Sequence, residues 1–108
     1  MGGQQNTVLY IEDNAANRQL IEMILARRPN VTLLMAENGT IGLNLASEKL
    51  PGLILLDLSL PDMDGLEVLS RLKQDPKTAT IPVFALSGDP HAQQYQERTD
   101  EQRTFLFH

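Results

Sequence analysis

The chain has 108 residues, 42% of them hydrophobic and 21% charged, with a formal net charge of -5; that suffices for one core but not for two. Acidic and basic residues are interleaved with no basic run, which argues against neutralising a phosphate backbone and so against direct nucleic-acid binding. Cysteine is absent, which removes disulfides and thiolate metal sites, and no apolar run is long enough to span a bilayer.

Residues 1–6, MGGQQN, are neither basic nor apolar. They read as a disordered leader, not a signal peptide, so cytoplasmic residence without membrane contact is the expectation. TVLYI (Thr7–Ile11) is an apolar run ending in Glu12 and Asp13, the pattern of a buried strand. Asn14 can cap the next segment through its side-chain oxygen. In ANRQLIEMILARR the spacing places Leu20, Ile21, Ile24 and Leu25 on one helical stripe, and Pro29-Asn30 ends the helix. VTLLMA (Val31–Ala36) is a second strand, closed by a turn at Glu37, Asn38 and Gly39. TIGLNLASEKL carries Ile41, Leu45 and Ala46 at helical spacing, before Pro51-Gly52 breaks the chain. LILLDL is apolar on both alternating faces, which suits a central parallel strand covered on both sides. LEVLSRLKQD repeats the amphipathic pattern through Leu66, Leu69 and Leu72, and Pro76 stops it. IPVFALS (Ile81–Ser87) is a fourth strand, with its proline near the start where a missing donor does least harm.

Strand and helix thus alternate with short connections, which predicts right-handed βαβ units building a doubly wound α/β parallel sheet over residues 7–90. After Gly88 the chain turns polar. Segment 91–108 has room for a weak fourth helix around Ala92 and Tyr95 and for a fifth strand at Thr104–Phe107. No residues remain for a fifth helix.

Ligands of open parallel sheets collect outside the carboxyl ends of the strands. Glu12 and Asp13 end the first predicted strand, Asp57 the third and Ser87 the fourth. Neighbouring strands would bring these carboxylates to one rim, where their repulsion calls for a cation. Mg²⁺ suits such an oxygen donor set, and Asp57 could serve as a nucleophile towards phosphorus. Taken singly, each residue reads better as a solvated strand end or a cap; their conjunction argues for a site. An EF-hand through Asp62, Asp64 and Gly65 fails, because Leu60 and Arg71 occupy its first and last ligand positions. No glycine-rich phosphate loop with lysine occurs. Asp62 and Asp64 read as solvated loop and helix-start residues.

VLYIEDNAANRQLIEMIL, LILLDLSLPDMDGLEVLSRLK and IPVFALSG together resemble the receiver domain of bacterial response regulators, the CheY-like (flavodoxin-like) fold. The resemblance implies strand order 2-1-3-4-5 and phosphoryl transfer from a histidine kinase or phosphotransfer protein to Asp57. It implies Mg²⁺ held by Asp13, Asp57 and the Ser59 carbonyl, with Glu12 acting through bound water. Ser87 would grip the phosphoryl oxygen, Gly88 would leave access, and Ser59 and Asp89 would sit at the variable rim. The C-terminus departs from the family: aligning FLFH places Phe105 at the aromatic switch position and His108 where the family carries a lysine. The alternative function is a pseudo-receiver, a protein-interaction module without phosphorylation. A hydrolase with an aspartate nucleophile would want a second acid two residues after Asp57, where Ser59 stands. Lacking a fifth helix, the chain is expected to expose an apolar strip and to form a homodimer or segment-swapped oligomer, or to be marginally stable.

Overall fold

A computed structural model describes residues 4–86 and the strand Thr104–Phe107. The elements are β1 (Gln4–Ile11), α1 (Ala15–Leu25), β2 (Thr32–Ala36), α2 (Gly39–Lys49), β3 (Pro51–Asp57), α3 (Gly65–Gln74), β4 (Val83–Leu86) and β5 (Thr104–Phe107). They build one parallel sheet, as the alternating pattern predicts, in the order β2-β1-β3-β4-β5 that the resemblance implies. The expected fourth helix, together with Ser87, Gly88, Asp89 and His108, lies outside the described residues.

Several boundaries differ from expectation: β2 begins one residue late, at Thr32, and β4 at Val83, after the proline expected inside it. β1 begins at Gln4, inside the segment read as a disordered leader, and Gln4 stands opposite Pro51 in β3. Ladder bonds are made by backbone groups, so polar side chains do not prevent the pairing, although the register shifts between Gln4 and Val8. The reversal before β3 falls on Leu50, not on Pro51-Gly52. Leu50 caps α2 in the left-handed region with φ 47, at a cost of about 1–2 kcal/mol for a residue with a Cβ. Pro51 then opens β3, a position where a strand tolerates proline.

The path from β1 to β2 runs opposite to the path from β2 to β3, so right-handed crossovers put α1 on one face and α2 and α3 on the other. The second face is sealed. Leu9, Ile11, Ile54, Leu56, Val83 and Ala85 are all 0% exposed, packed with Ala46, Val68, Leu69 and Leu72 from the two helices. Each such large aliphatic contributes about 1.5–3 kcal/mol by burial. Gly42 lets α2 approach this closely, because a Cβ there would lie 2.5 Å from Ile11 Cδ1.

The α1 face is looser. Val8, Leu53, Leu55, Phe84 and Leu86 are only half-buried, and α1 contains no buried residue. Of its predicted stripe, Ile21 and Leu25 are half-buried, whereas Leu20 (56%) and Ile24 (53%) face solvent beside Met23 (67%). Among the described residues no second helix shares that face, and half of the predicted stripe is exposed.

Candidate functional site

β1 delivers Glu12 to the rim and holds it there. Its backbone N–H donates to Ala36 O of β2 at 2.9 Å, and its residue exposure is 5%. A carboxylate so buried needs partners, and three donors supply them. Oε1 accepts from the Tyr10 hydroxyl at 3.1 Å and from Asn17 Nδ2 at 3.3 Å, while Oε2 accepts from Asn14 N at 3.2 Å. Arg18 Nη1 donates to the Glu12 carbonyl at 2.8 Å, tying α1 to the same corner. Burial, with the Glu12 charge and hydrogen bond and then the Asp57 charge, pushes the Tyr10 hydroxyl up to about 12. Asn14 caps α1 as its residue type predicts, accepting from Asn17 N at 3.0 Å.

β3 carries Asp57 to the same rim beside Leu86 of β4, and Leu58 N continues the ladder to Leu86 O at 3.0 Å. Asp57 is half-buried and its Oδ1 accepts from Ser59 N at 3.0 Å. Beyond it the loop closes on itself where Gly65 N donates to Leu58 O at 3.2 Å. Glycine is required there, since a Cβ would stand 2.4 Å from Leu58 Cα. Asp64 caps α3 by accepting from Leu66 N at 3.0 Å, in keeping with its helix-start reading. Asp62 departs from the solvated-loop reading. Though exposed, it accepts from Gly39 N, Thr40 N and Thr40 Oγ1 at the start of α2, at 2.8, 3.0 and 2.8 Å.

Glu12, Asp13 and Asp57 each place a carboxylate oxygen within 4.8 Å of the others. At that spacing two unit charges repel by about 1 kcal/mol in water and by several at an effective dielectric of about 20. The donor set is all oxygen, which fits a hard divalent cation, and the spread approaches the roughly 4 Å across an octahedral Mg²⁺ shell. Asp13 is exposed and open to direct ligation, whereas Glu12 is already engaged by its three donors. Ser59 is exposed two residues beyond Asp57. Phe105 stands opposite Phe84 in the β4–β5 ladder. An open cleft of about 500 Å³ on α1, lined by Leu20, Met23, Ile24, Arg27 and Arg28, lies along the helix away from this rim.

Sequence reasoning missed Tyr10, Asn17, Arg18 and Asp62. Tyr10 carried a usable signal: a hydroxyl in an otherwise aliphatic run, two residues from Glu12 and hence on its face. Asp62 carried none, because its partners lie 22 and 23 residues away in sequence.

The family model described as response regulator receiver domain matches residues 8–102. Histidine kinase P4 of Formosa agariphila is 42% identical over 85 residues, covering 79% of this chain and 6% of the kinase. The nitrate/nitrite response regulator protein NarL of Escherichia coli K12 is 38% identical over 83 residues, covering 76% of this chain and 38% of NarL. The chain thus spans well under half the length of these two relatives. The crystal structure of the phosphorylated cyanobacterial phytochrome response regulator RcpA superposes with a TM-score of 0.79 at 28% identity, covering 95% of this chain and 79% of that one. With the sheet order and the acidic rim, these matches place the chain in the response regulator receiver domain family.

Proposed function

We propose that this domain takes a phosphoryl group from a histidine kinase or phosphotransfer protein onto Asp57, in a cytoplasmic two-component relay. The observation that supports it most is the meeting of Glu12, Asp13 and Asp57 at the strand ends, with their oxygens within 4.8 Å of one another. Asp13, Asp57 and the Ser59 carbonyl would hold Mg²⁺, with Glu12 reaching it through water. When bound, Mg²⁺ neutralises charge as phosphoryl oxygens approach. An Asp57 oxygen attacks the phosphorus of the phosphohistidine, a P–O bond forms, and the P–N bond breaks. The imidazole leaves with the electron pair and takes up a proton from water. Ser59 N, which donates to Asp57 Oδ1, orients the carboxylate for this attack. By the family resemblance, Ser87 is assigned the grip on the transferred group, Gly88 the opening beside it and Asp89 a place at the variable rim. Phe105 is assigned to the switch, with His108 at the lysine position. The role is that of a phosphoacceptor, with self-phosphorylation and slow loss of the group as its own chemistry.

The second reading, a pseudo-receiver, draws on one expectation from the sequence: aligning FLFH with the family's fifth strand puts His108 where that strand carries a lysine. One experiment separates the two. The folded protein is incubated with Mg²⁺ and acetyl phosphate, or with a fluoroberyllate mimic, beside Asp57→Asn. Modification or mimic binding in the parent alone supports phosphoacceptance; its absence from both supports the pseudo-receiver.

A further inference from the structure

The loop from Leu58 to Asp64 is tied at its base and again at its tip. At the base, Ser59 N donates to Asp57 and Gly65 N to Leu58 O. At the tip, both oxygens of Asp62 grip the first turn of α2, on Gly39 N, Thr40 N and Thr40 Oγ1. Met63 adds a packing contact to the same turn: a Cβ on Gly39 would come within 2.7 Å of Met63 Cγ and 3.1 Å of its Sδ.

Helix α2 already has a cap of its own. Asn38 Oδ1 accepts from Ile41 N at 2.8 Å, so the helix start does not depend on a distant carboxylate. Asp62 takes the two first-turn amides that Asn38 leaves, and it belongs to the segment carrying Ser59. The amides of Gly39 and Thr40 hold the Asp62 carboxyl down at about 2, as expected where the charged form accepts these bonds.

We propose that Asp62 is a positioning residue: by holding the first turn of α2, it orders the loop that presents Asp57 and Ser59. The ordering itself is independent of the phosphoacceptor reading; only its effect on Mg²⁺ affinity rests on that reading.

The test compares Asp62→Ala with Asn38→Ala, which removes a cap from the same helix without touching the loop. The first readout is amide hydrogen exchange at Ser59 in metal-free protein. Asp62→Ala is expected to speed exchange there roughly tenfold, and Asn38→Ala by no more than about twofold. Equal acceleration in both variants, or none in Asp62→Ala, overturns the proposal. Asp62→Asn, which keeps one acceptor, is expected to fall between parent and Asp62→Ala and covers the case in which the alanine variant fails to fold. The second readout is Mg²⁺ titration, where Asp62→Ala is expected to bind about fivefold or more weakly while Asn38→Ala matches the parent. Unchanged Mg²⁺ affinity in Asp62→Ala overturns the positioning role at the site. A parent that binds no Mg²⁺ sinks the phosphoacceptor reading, and the exchange comparison still decides the loop.

Discussion

The Tyr10 hydroxyl donates to Glu12 Oε1 at 3.1 Å, two residues along the same face of β1. A tyrosine in the sheet thereby braces an acid of the candidate cation cluster. Tyr10→Phe keeps the ring and removes the donor, leaving a buried carboxylate with two partners in place of three. A hydrogen bond to a charged group is worth about 1.5–3 kcal/mol. We expect Tyr10→Phe to lose about 1–2 kcal/mol in urea unfolding at neutral pH. A loss that persists undiminished in a Glu12→Gln background would show that the bond is not its source.

Asp62 gives the acid limb of stability a definite window. Its folded pKa, about 2, lies below its ordinary 3.8. Its contribution is therefore complete above the higher value and is lost as pH falls through the lower. Thermal melts between these values should fall less steeply in Asp62→Asn than in the parent. Parallel slopes would mean that the α2 amides do not favour the charged form.

Gly65→Ala places a methyl group 2.4 Å from Leu58 Cα. Backbone cannot turn aside as a side-chain tip can, so the neck of the loop must open. Overpacking of this kind costs about 1–3 kcal/mol, and opening displaces Asp57 and Ser59 as well. Gly65→Ala should therefore lower both the denaturant midpoint and Mg²⁺ affinity. A stable variant with parental Mg²⁺ binding would show that the neck can yield without cost.

The strip of Leu20, Met23 and Ile24 on α1 is more than half exposed. The domain should self-associate as concentration rises, and Leu20→Glu with Ile24→Glu should return it to monomer in light scattering. Surface changes of this type cost within about 0.5 kcal/mol, so the melting temperature should barely move. A parent that stays monomeric across the series refutes the expectation.

The parallel sheet was legible because LILL and the residues around Leu9 are continuous apolar runs, a pattern that suits two-sided coverage. The rim acids were legible because each sits at the end of such a run. Element ends were less so. Gln4 joins β1 through backbone bonds that side chains do not announce. Leu50 turns the chain in a conformation its side chain disfavours, beside a Pro-Gly pair that looks better suited. The support around the acids escaped for a different reason. Asn17 and Arg18 stand off the apolar stripe of α1, and only the folded geometry turns them back onto Glu12.

Helix α1 has no buried residue, yet it carries two of the groups that hold Glu12. An element so weakly anchored is among the first to open locally. Each time it lifts away, the Glu12 carboxylate loses Asn17 and the Glu12 carbonyl loses Arg18, and the acidic pocket loosens without any change in the sheet. Covering the outer side of α1 would suppress those openings and tighten the pocket. Reciprocity of linked equilibria then requires that filling the pocket strengthen whatever covers the helix.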